Sequence, residues 1–270
     1  MRPWLGVSRC RRQGAMSWLY MAPLGLVVTL VVLLVLGALD AGHRLGRVAP
    51  VAEQQVTNVS TPILAIVGLL LAFAFGMAGD RHALRREAAV EEANSIGTFW
   101  LRTSLVTEPV KSEMRSCLRR YVDLHLEHRD AGTDLSRTAA LEAEATRLQD
   151  ELWRLFDQEA HRATETSNMV LLVAPALNAM IDDAAVLLAA RENRVPDAVI
   201  LYLFLLIVVA GIVIGYRPRD EKRNLILWGF FLVVLGGTLV ILLDLDRPRR
   251  GLIQTDTAVY LRLRDSMQGP

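Results

Sequence analysis

Two pairs of side chains in the sequence are of types that can bind a metal ion. His125 and His128 are three residues apart, so on a helix both imidazoles project from the same side. Asp182 and Asp183 are adjacent carboxylates within an apolar segment. A structural metal site needs about four ligands, and neither pair has further ligands at a suitable spacing. We therefore predict no metal site and no cofactor, and we interpret the histidines as solvated or as facing the interior of a helical bundle.

A second acidic pair, Asp244 and Asp246, follows an apolar segment and lies next to Arg247. We interpret these residues as making capping interactions and local ion pairs. The alternative is an ion-binding role at the mouth of a pathway through the membrane.

Other signs of catalysis or nucleic-acid binding are absent from the sequence. It lacks the GxSxG, HExxH, CxxC and glycine-rich phosphate-binding motifs of common enzymes. Its net charge of +1 provides no field that would attract nucleic acid. Cys10 and Cys117 are predicted to lie on the same reducing side of a membrane, so no disulfide is indicated. The sequence predicts a protein that is not an enzyme and has no nucleic-acid partner.

The elements that position these residues are predicted to be helices, four of them in a lipid bilayer. Each of four apolar segments is long enough to cross a hydrocarbon core of about 30 Å as a helix. For the first segment the alternative is a cleaved signal peptide, but its apolar run exceeds the usual signal core of about 7 to 15 residues. Residues 1–15 show no periodicity, and we expect translation to start at Met16. The predicted spans are residues 19–39, 63–79, 198–216 and 225–243.

The second span continues without a helix breaker into a charged stretch, so both are predicted to form one helix. Its first half would lie in lipid, and its second half, from about Asp80 to Arg102, would stand in water. Ser60, Thr61 and Pro62 are typical of a helix start, with an N-cap followed by proline at the first helical position. The sequence therefore predicts one continuous helix that passes from the membrane into water.

Small residues recur at helical spacing in two of the spans. Gly68, Ala72 and Gly76 form a stripe along the second span, which indicates either close helix packing or a face that lines a pore. Gly211 and Gly215 form a GxxxG pair in the third span. This pair predicts a close approach of two helix backbones.

The hydrophilic third between spans 2 and 3 is predicted to be a helical bundle. A break at residues 107–109 precedes a helix from Val110, and a turn at residues 130–134 ends in Asp134, which can cap the next helix. Residues 169–190 are apolar but contain two adjacent aspartates, each costing about 2.5 to 3.5 kcal/mol at the centre of a membrane helix. We predict a buried or interfacial helix there, with a fifth span as the alternative.

The expected fold is all-α, with four transmembrane helices and a helical cytoplasmic insert between the second and third spans. Most arginines near the spans then lie on the cytoplasmic side, as the positive-inside rule requires. The protein is therefore predicted to lie in the inner membrane with both termini in the cytoplasm. The basic string RPRDEKRN would lie outside, and a fifth span would turn it inward. The predicted parts are a cytoplasmic segment at 1–18, two spans within 19–79, the insert at 80–197, two spans within 198–243 and a cytoplasmic tail at 244–270.

Two strings resemble those of a known family. EEANSIGTFWLR, with Arg120 and Tyr121 further on, and the closing LDLDRPRRGLI are similar to the bacterial bestrophin-like family of four-span membrane proteins. The likeness extends from about residue 20 to residue 265. Arg249 and Arg250 depart from it, since the family often has an aromatic and a small residue there. The family-motif residues are Glu92, Asn94, Gly97, Arg102, Tyr121, Asp246, Arg247 and Pro248.

The resemblance implies an architecture and a function. Bestrophins are pentameric anion channels in which the second span lines the pore and continues into a cytosolic helical domain, so a homo-oligomer that conducts an inorganic ion is expected. A basic rim of Arg81, Arg85 and Arg86 would attract the anion. A non-conducting membrane scaffold, whose cytoplasmic bundle binds a partner, is the alternative. The pore or helix-packing candidates are Gly68, Ala72, Phe73, Gly76, Asp80 and Arg81.

Overall fold

The computed structural model describes residues 22–49, 53–132, 134–162, 168–216, 225–247 and 258–268. These residues form helices and contain no strand, as the all-α prediction requires. The chain divides into a first unit, Met1–Ala78 with Val195–Arg247, and a second unit, Gly79–Arg194 with Pro248–Pro270. The helices are α1 (Leu24–Val48), α2 (Glu53–Arg102), α3 (Val110–Asp130), α4 (Leu135–Arg162), α5 (Asn168–Glu192), α6 (Asp197–Gly215), α7 (Leu225–Phe231), α8 (Gly237–Leu245) and α9 (Ala258–Met267).

Four helical stretches within the described residues are long and apolar enough to cross a membrane. They correspond to α1, to a stretch that includes the apolar half of α2, to the stretch Met169–Gly215 that contains most of α5 and all of α6, and to α7 with α8, which are joined by a π-helical turn at Leu232–Gly236. The predicted number of candidate spans is therefore confirmed. The first span, predicted at residues 19–39, was predicted to end too early, because α1 covers Leu24–Val48. Residues 19–21 lie outside the described part of the chain.

Helices α1 and α6 pack backbone to backbone in the first unit. A Cβ atom built on Gly215 would lie 2.1 Å from the carbonyl oxygen of Leu39, and one built on Gly42 would lie 2.0 Å from that of Ile212. Only glycine allows this approach, so the packing predicted from the GxxxG pair is confirmed.

Helix α2 is continuous for 50 residues, or about 75 Å at 1.5 Å per residue. The prediction of one unbroken helix through Asp80 is thereby confirmed. The predicted start was wrong, because α2 begins at Glu53 and Pro62 lies inside it. The hydroxyls of Ser60 and Thr61 donate to the carbonyl oxygen of Thr57 in the preceding turn, so they do not act as N-cap acceptors.

The second unit is a helical bundle with its own apolar core. The predicted helix start at Val110 is confirmed, and Asp134 caps α4 by accepting hydrogen bonds from the backbone N–H groups of Ser136 at 2.9 Å and Arg137 at 3.0 Å. Gly132 has a φ of 56°, which suits glycine at the turn before α4. Fully buried core residues include Ile96, Phe99, Met114, Leu118, Leu152, Leu177 and Met180.

Two segments that were hard to interpret from sequence belong to this bundle. Helix α5 buries Val173 and Leu187 in the core of the second unit. Residues 244–270 were expected to be a polar tail, but α9 forms within them and buries Tyr260 and Met267 in the same core. The second unit therefore combines the insert with the last helix of the chain.

Candidate functional site

A buried carboxylate lies at the centre of the second unit. Glu92 is fully buried, because its neighbours Ala88, Ala89, Ile96 and Phe99 place this face of α2 in the core. An unpaired buried carboxylate would be very costly, so Glu92 needs partners.

Two tyrosine hydroxyls supply those partners. The hydroxyl of Tyr121 in α3 donates to Oε1 of Glu92 at 3.0 Å, and the hydroxyl of Tyr260 in α9 donates to Oε2. The amide of Gln149 in α4 donates to the Tyr121 hydroxyl at 3.0 Å. Side chains of α3 and α9 therefore bond directly to one side chain of α2, and α4 supports it through Tyr121.

His125 lies between the two tyrosines. Its Nε2 atom is 3.3 Å from Oε1 of Glu92. Its ring stacks on the ring of Tyr260, with centroids 4.5 Å apart and planes 3° from parallel, and it meets the ring of Tyr121 edge to face at 5.0 Å. A protonated imidazole at this position attracts the carboxylate. We call Glu92, Tyr121, His125, Gln149 and Tyr260 the Glu92 cluster.

The cluster keeps Glu92 ionised and its tyrosines neutral. Burial raises the pKa of Glu92, but the positive charge and contact of His125, the hydrogen bond from Tyr260 and the charge of Arg191 outweigh it and bring this pKa to about 2. Burial and then the charge of Glu92 raise the pKa of Tyr121 and of Tyr260 well above the ordinary value. An ionised acid beside two neutral hydroxyls suits an anchor between helices rather than a proton-transfer site.

The predicted basic rim is only partly available to an anion. Arg85 is buried, and it donates from Nε to the carbonyl oxygen of Ala190 at 3.3 Å and from Nη2 to that of Asn193 at 3.0 Å. Arg81 donates to the side chain of Asn193 at 3.3 Å. Both arginines thus bind the carboxyl end of α5, where the helix dipole favours positive charge. Including Arg85 in the rim was wrong, whereas Arg86 is exposed.

The small-residue stripe faces no helix of the same chain within the described residues. Cβ atoms built on Gly68 and Gly76 would have nothing within 4 Å, and Ala72 is exposed between them. Phe73 is 63% exposed and Asp80 is also exposed. The choice between packing on a second copy and lining a pore stays a prediction.

The remaining motif residues of α2 have different surroundings. A Cβ atom on Gly97 would lie 3.4 Å from Cδ1 of Leu263 in α9. Arg102 donates from Nη1 to the carbonyl oxygen of Leu172 at 2.6 Å. Asn94 is exposed.

The closing motif contacts the segments that precede two helices of the first unit. Oδ1 of the buried Asp246 accepts a hydrogen bond from the backbone N–H of Val195 at 3.0 Å. Arg247, also buried, donates from Nη1 to the carbonyl oxygen of Ala22 at 3.0 Å. Both contacts are made to backbone groups that precede the N-caps of α6 and α1, so the capping interpretation of Asp244 and Asp246 stays a prediction. Pro248 lies outside the described residues.

The members of the histidine pair and of the aspartate pair have different surroundings. His125 faces Glu92, whereas Nε2 of His128 lies 3.6 Å from Oε1 of Glu142. Asp182 is exposed and Asp183 half-buried on α5. In the described part of the chain, no three His, Cys, Asp or Glu side chains are grouped to bind a metal ion.

Comparison with known families identifies the family of the chain. Residues 24–260 match the model of the bestrophin-like domain. The chain belongs to the bestrophin-like family. Together with four helices able to span a bilayer, this places the protein among multi-pass membrane proteins in contact with lipid. No curated protein and no solved structure matches it significantly.

The motif that led to this family also pointed to part of the Glu92 cluster. Glu92 and Tyr121 were both singled out from sequence, but their contact was not foreseen. Gln149 and Tyr260 were missed. The spacing of Tyr260 and Met267, seven residues apart on one helical face, is the signal that could have identified α9.

Proposed function

We propose that this bestrophin-like protein is a homo-oligomeric anion channel of the inner membrane whose α2 helices line the pore. The observation that carries the proposal is α2 itself, which runs unbroken from an exposed small-residue stripe at Gly68, Ala72 and Gly76 to a buried anchor at Glu92. In a ring of copies, such a helix would present small side chains to a water-filled path. The proposal includes no enzymatic activity.

The contact between Glu92 and Tyr260 supports four spans rather than five. Two residues that share a hydrogen bond lie on the same side of a membrane, so the chain between them crosses an even number of times. Helix α6 and the α7–α8 segment provide two crossings. A third crossing by α5 would separate Glu92 from Tyr260, so the proposed arrangement includes no crossing by α5.

A second contact also requires an even number of membrane crossings. Arg247 binds the carbonyl oxygen of Ala22, so the start of α1 and the end of α8 lie on one side. Four spans satisfy this condition and five do not. The arginines that flank the insert, among them Arg86 and Arg194, favour the cytoplasm for the second unit by the positive-inside rule.

Chloride flux from proteoliposomes tests the channel. Gly76→Leu should reduce the flux at least about tenfold if α2 lines the path, because a leucine side chain would obstruct a narrow pore. Gly229→Leu is the matched control, since Gly229 is another exposed membrane glycine with nothing within 4 Å of a built Cβ. Equal fluxes from the two variants would contradict pore lining by α2.

A membrane scaffold is the second candidate, and exposed apolar side chains on the second unit favour it. Leu101 is 71% exposed at the end of α2, and Leu171 is 59% exposed on α5. A surface of this kind can bind a protein partner. Two results together would favour the scaffold over the channel. Well-folded wild-type protein would show no chloride flux, and a partner protein that the wild type binds would no longer bind to the Leu101→Ser variant.

A further inference from the structure

Two arginines of α3 lie over one tryptophan of α2 in the second unit. The guanidinium carbon of Arg115 is 4.7 Å from the centroid of the Trp100 ring, and that of Arg119 is 5.0 Å from it. The two arginines are four residues apart, so they project from the same side of α3. The ring attracts each guanidinium and holds two positive charges beside it.

A short chain of hydrogen bonds fixes Arg115 in place. Its Nε atom donates to the hydroxyl of Thr103 at 3.1 Å, and that hydroxyl donates to the carbonyl oxygen of Trp100 at 2.7 Å. Thr103 is fully buried in the 3₁₀ turn that follows α2. These bonds engage Nε and orient the two terminal nitrogen atoms of Arg115, which make no hydrogen bond within the described residues.

Neither arginine has an acidic partner of the kind that the next arginine of α3 has. Arg120 forms an ion pair with Glu144, its Nε atom lying 2.8 Å from Oε1. Arg115 and Arg119 pair with no carboxylate in the part of the chain that the structure describes. Two like charges beside one ring repel each other, and an anion bound to both would remove this repulsion.

A third basic side chain precedes them on α3. Lys111, Arg115 and Arg119 follow one another at a spacing of four residues, so they share one face of the helix. The Ser112 hydroxyl donates to Oε2 of Glu108 at 2.6 Å and lowers the pKa of that carboxyl. The charges of Lys111 and Arg115 lower the same pKa to a smaller extent. This face of α3 therefore has a positive field.

We propose that Trp100, Arg115 and Arg119 form a binding site for a phosphate group, carried by a soluble small molecule or by a lipid headgroup. A guanidinium binds two phosphate oxygens through parallel hydrogen bonds, and two guanidiniums match the double negative charge of a phosphate. Chloride has a single charge and no paired oxygen atoms, so it makes poorer use of this arrangement. Phosphate binding here does not depend on chloride conduction.

Calorimetric titration of the purified full-length protein with sodium pyrophosphate, in dodecyl maltoside and physiological salt, tests the soluble form of the ligand. Wild type should bind, and Arg119→Gln should bind at least about tenfold more weakly. Arg147→Gln is the matched control, since it removes the same charge from another exposed arginine, on α4. Both substitutions replace exposed side chains, so both variants should fold.

Two further variants distinguish a built site from general electrostatic attraction. Arg115→Lys keeps the charge but loses the planar group and its bond to Thr103, so the affinity should fall at least about threefold. In wild type, binding should change the tryptophan fluorescence, because Trp100 contacts both guanidiniums. This change should be absent in Trp100→Phe. An affinity unchanged in Arg115→Lys would overturn the site.

The lipid form of the ligand is tested with dioctanoyl phosphatidic acid, and dioctanoyl phosphatidylcholine serves as the control without net charge. Binding of pyrophosphate identifies a soluble phosphate compound as the ligand. Binding of phosphatidic acid without pyrophosphate identifies a lipid headgroup. Binding of neither probe, or equal affinities in Arg119→Gln and Arg147→Gln, would overturn the proposal.

Discussion

The hydroxyl of Tyr260 donates a hydrogen bond to the carboxylate of Glu92, 168 residues earlier in the chain. Both side chains are buried, and the ring of His125 stacks on the ring of Tyr260. This one contact joins the last helix to the longest helix and constrains which segments of the chain can lie across a bilayer.

Loss of the Tyr260 hydroxyl should destabilise the second unit. A hydrogen bond to a charged group contributes about 1.5 to 3 kcal/mol, so Tyr260→Phe is expected to lower the free energy of unfolding by that amount. Thermal unfolding of the purified protein in detergent measures the change. Tyr202→Phe is the control, because Tyr202 is 49% exposed on α6. Equal melting temperatures for the two variants would mean that the contact contributes nothing.

The stability of the protein should depend on the ionisation of Glu92 at acidic pH. A pKa of about 2 in the folded protein, against an ordinary 4.5, means that the folded state favours the ionised carboxylate. The resulting stabilisation, about 3 kcal/mol, is fully present above pH 4.5 and is lost as the pH falls towards 2. In Glu92→Gln this part of the acid dependence should disappear, which melting curves across that range can detect. Parallel pH profiles for wild type and variant would contradict it.

Two adjacent arginines should differ in their effect on stability. Arg85→Ala leaves the carbonyl groups of Ala190 and Asn193 without this donor and is expected to cost about 2 kcal/mol. Arg86→Ala should have almost no effect, since Arg86 is exposed. The comparison uses thermal unfolding in one detergent, and a larger loss in Arg86→Ala would contradict the assigned roles.

Close packing of α1 and α6 should make Gly215 intolerant of any side chain. A Cβ atom there would meet the carbonyl oxygen of Leu39 at 2.1 Å, so Gly215→Ala must separate the two helices at a cost of about 1 to 3 kcal/mol. Gly25→Ala, in α1, meets nothing within 4 Å and serves as the control. The melting temperature should fall only in the first variant.

Local patterns in the sequence were sufficient to predict the membrane helices but not their partners. An apolar run that continues through Asp80 into a charged run without a helix breaker predicted α2. The spacing of Gly211 and Gly215 predicted a close approach of two helix backbones. The start of α2 was predicted wrongly from Pro62. Proline is common at the first position of a helix, but here the residues before Pro62 are already helical.

The Glu92 cluster depends on contacts that no local pattern contains. Glu92 lies in phase with the buried residues of α2, yet its partner Tyr260 comes from a distant helix, as does Gln149, which bonds to its other partner Tyr121. Tyr260 belongs to a short helix with four charged or hydroxyl-bearing residues after it, so its composition was typical of a polar tail. Its position became evident only from the fold.

The most direct test of the architecture is the side of the membrane on which α2, α5 and α9 end. With Cys10 and Cys117 changed to serine, single cysteines replace the exposed residues Asn94, Asp182 and Arg262, and Asn58 at the opposite end of α2. Sealed cells are treated with a membrane-impermeant maleimide and compared with inverted vesicles. Positions 94, 182 and 262 should react only in inverted vesicles, and position 58 only in cells. Labelling of positions 94 and 262 from opposite sides would contradict the account.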